Sequence, residues 1–294
     1  MNITDLRLVA CMKLMALATG LCCSALGSSA AAELHVCHSG CGYDSLQGAV
    51  DVARSGDTIK IGAGTYVENV LIDKSLTLQG KSEDSTTIDG GLAGPVFRIG
   101  TLGKMNGRPV IISGMTITHG RGVTGGGIYS VDTQLQMTYV ILTSNYATIT
   151  GGGVYVDQET APHLAVTIGH CVFSHNRAPY GGGISTGSKL TVNIMLSSIT
   201  RNTADTYGGG LLVADETVVN LSGSTVSDNS SSAFGGGLFL YDGTPGAAVI
   251  VTRSAIVNNN ATQAGGGYFA AAGLHGSHLI IADGSVIALN SPAP

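Results

Sequence analysis

The feature that most constrains this chain is a triglycine that returns six times. It stands at 125–127, 151–153, 181–183, 208–210, 235–237 and 265–267, at intervals of 26, 30, 27, 27 and 30 residues. Such a period marks a repeat array, in which each unit buries its apolar face only against its neighbours. An apolar or aromatic residue follows every triglycine: Ile128, Val154, Ile184, Leu211, Leu238 and Tyr268. An Asn precedes five of them, at Asn145, Asn176, Asn202, Asn229 and Asn259, and Asn290 stands one repeat later. Between these marks lie short alternating runs such as GGGVYVD and LAVTIGHCVFSHN, too short for a helix of about ten residues. Units of this length without a helix exclude a βαβ arrangement. What remains is a coil of short strands whose turns stack in parallel, roughly 4.8 Å apart. The expected fold is all-β: a single-stranded parallel β-helix over residues 57–290, with about eight or nine coils.

The ends read differently from the array. Residues 1–32 have the form of a secretory signal: Lys13 precedes the apolar run Leu14–Leu26, and Ser29 to Ala32 supply small residues for cleavage. That run is too short to span a bilayer, and no later stretch approaches membrane length. The expected location is therefore extracellular, periplasmic or cell-surface. Residues 33–56 form an N-terminal cap to the β-helix of 57–294. Asp44 and Gln47 have the spacing of a capping box, and Leu46, Ala49, Val50 and Ala53 share one helical face. This predicts a short helix over 45–54 that covers the open end of the core.

Composition narrows the partners. Lys and Arg number 14 against 19 Asp and Glu, a net charge of −5 with no basic stripe, which argues against nucleic acid. Many glycines and few charges would suit a disordered chain, but an apolar fraction of 44% in regular phase argues for a packed core. Cys37 and Cys41 bracket a tight loop and in an oxidising compartment form a small disulfide staple. A zinc site with His35 and His38 is the alternative, and it lacks a second ligand cluster. Cys171, in an alternating run, reads as a buried small hydrophobe.

Two stretches resemble known families. Residues 43–90 carry the helix Leu46–Ala53, Gly56-Asp57, Gly64-Thr65-Tyr66-Val67-Glu68 and Leu76-x-Leu78-x-Gly80. In these marks they resemble the opening of pectin-lyase-like right-handed β-helix proteins, pectinesterases included. Residues 114–290, with GGG[IVLY] and Phe173-Ser174-His175-Asn176, resemble the repeats of chlamydial polymorphic outer-membrane proteins. The first resemblance implies a right-handed solenoid, in line with the hand of parallel crossovers. The Asp-Phe-Ile-Phe-Gly and Leu-Gly-Arg-Pro-Trp elements of pectinesterase chemistry are missing.

Aligning coils on the triglycine turns sequence into surface. The first residue after the glycines points inward, so the next points outward: Tyr129, Tyr155, Ser185, Leu212, Phe239, Phe269. Just before the glycines stand Thr124, Thr150, Tyr180, Tyr207, Phe234 and Ala264. Seven aromatic residues thus flank a strip without side chains. They are either a cover for the glycine backbone or a floor on which pyranose rings stack. The Asn column reads as a structural amide ladder at a turn that tolerates left-handed backbone. The column before it contains His175, Arg201 and Asp228, a trio able to do acid–base work on an acidic glycan or to sit as a solvated charge ladder. Asp132, Asp157, Asp215 and Asp242 end the post-glycine strands, as turn formers or as weak calcium ligands; no other metal or cofactor is expected.

Two functions remain. One is a non-catalytic, adhesin-like module that binds a polysaccharide or cell-surface glycan, as a monomer whose last strand edge is blunted by Pro292 and Pro294. The other is a polysaccharide lyase, hydrolase or epimerase acting on an acidic glycan. The uniform repeats favour the first.

Overall fold

The structure, a computed structural model, describes residues 31–100, 105, 108–160, 164–241, 246–271 and 276–291. The expected signal segment lies outside these residues except for its last two positions, and so do Asp242, Pro292 and Pro294. The triglycine period is met by three parallel sheets that wrap one core. One sheet stacks eight strands, from Val70–Ile72 at one end through Val154–Asp157 to Tyr268–Ala270 at the other. A second stacks six strands, from Arg121–Thr124 to Asn260–Ala261. The broadest contains Pro109–Thr118 and Gln134–Thr143, whose later counterparts divide into pairs such as Thr191–Met195 and Ser198–Thr200. Strands pair in parallel with the coil before and the coil after, as Val154 does with Ile128 and Ile184. This is a parallel β-helix. Among the described residues no helix is long and apolar enough to cross a membrane.

Alternation along each strand fixes which face is core. Ile128, Val154, Ile184, Leu211 and Leu238 are fully buried, and so is the opposite column of Leu142, Phe173 and Ile199. Non-glycine residues in left-handed backbone make the corners. His119, Ser144, His175, Arg201, Asp228 and Asn258 all have φ between 51° and 57°. Each immediately precedes a ladder position. The asparagines are thus not the left-handed residues; the exposed residue before each one makes the turn and drops the carboxamide into the core.

Inside, the asparagines form a continuous ladder. Asn202 Oδ1 accepts from the backbone N and the Nδ2 of Asn176, both at 3.0 Å. Its Nδ2 donates to Phe173 O at 2.9 Å and to Asn229 Oδ1 at 3.0 Å. The same bonds recur from Asn145 to Asn290. A second ladder runs through Ser197, Ser224, Ser254 and Ser285, whose hydroxyls accept from the backbone N of the preceding coil. Cys171 occupies this same column and takes the 3.1 Å bond from its backbone N to Ser197 Oγ. Its thiol is free and buried, and burial pushes its pKa up to about 12, so it is held inert.

The N-terminal end is closed by the helix α1 (Leu46–Val52), which buries Leu46, Ala49 and Val50. Its cap is Ser45, not Asp44, with the Ser45 side chain accepting from Gly48 N at 3.2 Å. The expected reciprocal box fails because Glu68, from the first coil, takes the orphan amides: Leu46 N at 2.8 Å and Gln47 N at 2.9 Å. Gln47 is freed to accept from Leu71 N at 2.7 Å, which docks the helix on the neighbouring strand. A disulfide joins Cys37 to Cys41 with Cα atoms 5.6 Å apart, and the loop it closes lays His38 on the ring of Tyr66 at 4.7 Å.

Removing a mid-ladder carboxamide strands donors and acceptors on both sides. Asn202→Ala should cost about 3 kcal/mol or more, given roughly 1–3 kcal/mol for each buried group left unpaired. Asn290→Ala, at the partly buried end of the ladder, should cost about half as much. Urea unfolding of the two variants checks this; equal losses would deny the ladder its role.

Candidate functional site

The outward columns on either side of the triglycine become the two walls of one corner, because the first glycine of each triplet turns the chain with φ between 60° and 70°. The second and third glycines leave no space for a side chain. A Cβ on Gly182 would stand 2.4 Å from Thr203 O, and one on Gly183 would stand 3.0 Å from Asn202 Nδ2. The strip is thus bare because the coils touch there.

The rings along this corner fall into two groups. Toward the C-terminal end they close on one another: Tyr207 stacks on Phe239 at 4.7 Å, Phe234 meets Phe269 at 4.6 Å, and Phe239 lies 5.7 Å from Phe269. Phe239 is only 4% exposed. Its faces are covered, and it serves as packing between its neighbours. Toward the N-terminal half Tyr129 and Tyr155 stack at 6.0 Å, while the opposite wall offers only Thr124 and Thr150. Ser185 follows Tyr155 in register and is too small to continue the row. An open cavity of about 630 Å³ results, walled by Tyr155, Tyr180, Tyr207 and Tyr241. Asp157, Gln158 and Thr150 supply its polar groups.

Asp157 sits at the edge of this cavity. Its carboxylate accepts from the Tyr155 hydroxyl at 2.8 Å and from Gln158 N at 2.8 Å. Burial raises its pKa above the ordinary carboxylate range, the two hydrogen bonds oppose the rise, and nearby Asp132 adds to it. A Cβ on Gly187 would overlap the Asp157 carboxylate, so glycine is required where the next coil passes over it.

One coil toward the N-terminus a second cleft, of about 380 Å³, is lined by Pro95, Arg98, Arg121 and Tyr129. Arg98 pairs in register with Tyr129 and lies 5.6 Å above its ring; Arg121 lies 5.9 Å above Tyr146. Neither arginine appears in the triglycine alignment, because their strands precede the first triplet. Matching Phe97-Arg98-Ile99 to Ile128-Tyr129-Ser130 would have found Arg98.

His175, Arg201 and Asp228 occupy the exposed left-handed column at a different corner, between the broadest sheet and the six-stranded one. Among the described residues no ion pair joins them. The aspartates do not form one column. Val131, not Asp132, pairs with Asp157, so the two carboxylates are offset by a residue. Asp132 is fully buried and accepts from Glu159 N, Thr160 N and the Thr160 hydroxyl. Asp215 lies on a later loop, where its carbonyl accepts from Lys189 N. Among the described residues no three potential metal-ligating side chains come together.

The chain belongs to the right-handed β-helix family: the family described as "Right handed beta helix region" matches residues 103–285. A solved structure of similar trace is the "Crystal structure of pectin methylesterase in complex with hexasaccharide VII". It superposes with a TM-score of 0.51 over 88% of this chain and 90% of that one, at 12% identity. At that identity the likeness is one of fold. Comparison with curated protein sequences gives no match.

The raised pKa of Asp157 has a stability consequence. The folded state holds the proton more tightly than the unfolded chain, so the group contributes stability in acid that is lost as pH rises through its folded pKa. Asp157→Asn should therefore raise the melting temperature near pH 7.5 and lose that advantage near pH 3. An equal loss at both pH values in thermal melts would contradict this.

Proposed function

We propose that the protein is a secreted, non-catalytic module that binds a polysaccharide or cell-surface glycan along the triglycine corner. The observation that supports it is the open cavity walled by Tyr155, Tyr180, Tyr207 and Tyr241 with Asp157, Gln158 and Thr150 at its edge. A pyranose has an apolar face and a polar rim, and this lining offers rings for the one and hydrogen-bonding groups for the other. The rungs of the β-helix repeat at about 4.8 Å, a spacing comparable to one sugar in an extended chain. Phe234, Phe239 and Phe269 support this site by packing, while Tyr129 extends it toward the arginine cleft. The Cys37–Cys41 disulfide accords with an oxidising compartment. The resemblance of the repeats to chlamydial polymorphic outer-membrane proteins is in keeping with a surface role.

Tyr180 and Tyr241 are exposed, so truncating them should leave the fold intact. Tyr180→Ala with Tyr241→Ala should weaken glycan binding about tenfold or more in calorimetry, with a nearly unchanged melting temperature. Undiminished binding by this variant would remove the cavity as the site. The competing reading is an enzyme acting on an acidic glycan through His175, Arg201 and Asp228, which stand on successive coils of one exposed column. Product formation from a uronate polymer, abolished by Arg201→Ala, would establish that reading in place of the first.

A further inference from the structure

The charges along the proposed glycan groove are arranged in a sequence. Arg98, Tyr129 and Tyr155 stand in register on three successive coils, and Asp157 lies two residues beyond Tyr155 on the same strand. Following the axis, a glycan would meet a guanidinium and then two stacked rings, with a carboxyl group beside the second ring on the same coil. Arg121 lines the same cleft as Arg98 and doubles the positive charge at that end. Neither arginine has a carboxylate partner among the described residues; the arginine that is paired, Arg177, bonds Asp205 at 2.8 Å. Both guanidiniums are exposed on a protein of net charge −5, so this cleft is a local reversal of the overall sign.

The other end is the opposite. The groups that face Asp157 are the Tyr155 hydroxyl and Gln158 N, which donate to it, with the acidic Asp132 nearby and Glu159 acting on the same tyrosine pair. None of these is a cation. Arg98 and Tyr155 are two rungs apart, about 10 Å at the spacing of parallel strands. Screening acts over about 8 Å at physiological salt, so the two ends act on different sugars.

The geometry points to a glycan that carries one anionic substituent at the Arg98–Arg121 cleft and neutral sugars across Tyr129, Tyr155 and Asp157. It points away from a polymer charged at every residue, because a second anion two sugars along would face Asp157 without a counter-ion. The substituent is recognised as a group with terminal oxygens, which a uronate carboxylate and a sulfate ester both present; Arg binds either through paired N–H donors. This inference rests on the groove being the glycan site.

The test is calorimetry with four hexasaccharide probes near pH 7.5: neutral xylohexaose, xylohexaose with one glucuronic acid branch, xylohexaose with one sulfate ester, and hexagalacturonate. The singly charged probes should bind about tenfold tighter than the neutral one and tighter than hexagalacturonate. Between them, the tighter one identifies the anion. Arg98→Ala with Arg121→Ala should bring the singly charged probes down to the neutral value. Asp157→Asn should strengthen hexagalacturonate binding near pH 7.5. The inference is overturned if hexagalacturonate binds the wild type best near pH 7.5, or if the arginine variant keeps the preference for charge. Binding of xylohexaose with no effect of charge would sink this inference and leave the glycan site standing. Failure of every probe to bind would sink both.

Discussion

The structure depends on one contact: the third glycine of each triplet against the carboxamide of the next coil. A Cβ there would lie 3.0 Å from Asn145 at Gly127, 3.1 Å from Asn176 at Gly153 and 3.0 Å from Asn259 at Gly237. Buried amides in a β-helix are stable only if each bond is made, since one stranded group costs as much as a bond contributes. Asn176, Asn202, Asn229 and Asn259 each satisfy their oxygen twice and their nitrogen twice, and each needs the bare backbone beside it to reach its neighbours. Glycine and asparagine therefore recur together because they are two sides of one contact. The strained left-handed residue before each asparagine is held by the same bonds, which explains how His175, Arg201 and Asp228 tolerate a backbone that most side chains avoid.

From that contact the surface follows. The glycine corner brings two outward columns close enough for rings to meet, and the identity of a few residues decides where the corner is closed. Phe234, Phe239 and Phe269 fill it; Thr150 and Ser185, which bond each other through their hydroxyls at 2.7 Å, leave it open. The closed and the open stretches of the corner are thus separated along one axis. The internal ladders hold the coils, and the rings at the open half line a cavity that this packing leaves unfilled.

Much of this was legible in the sequence because a repeat displays its own register. The triglycine period gave the parallel stacking, the inward column after it and the seven flanking rings. What was not legible depends on contacts between distant elements. Asp44 and Gln47 had the right spacing for a cap, but Glu68 from the first coil took the helix amides and moved the cap to Ser45. The left-handed turn fell on the residue before each asparagine, which the type of residue does not announce. Asp132 and Asp157 looked like one column until the pairing placed them a residue apart. Phe239 read as an outward ring, yet a ring from the other wall covers it, and no single-strand pattern contains that wall. Arg98 and Arg121 escaped because their strands come before the first triplet.

Hydrogen exchange measured residue by residue tests the central contact most directly. If the asparagine–glycine ladder holds the coils together, the backbone amides of Asn176, Asn202 and Asn229 should exchange only by global unfolding, with the slowest rates in the molecule. The amides of the exposed corner loops between strands should exchange orders of magnitude faster. Ladder amides that exchange as fast as those loops, under conditions where the apolar core amides stay protected, would show that the core alone holds the β-helix and that the ladder is incidental.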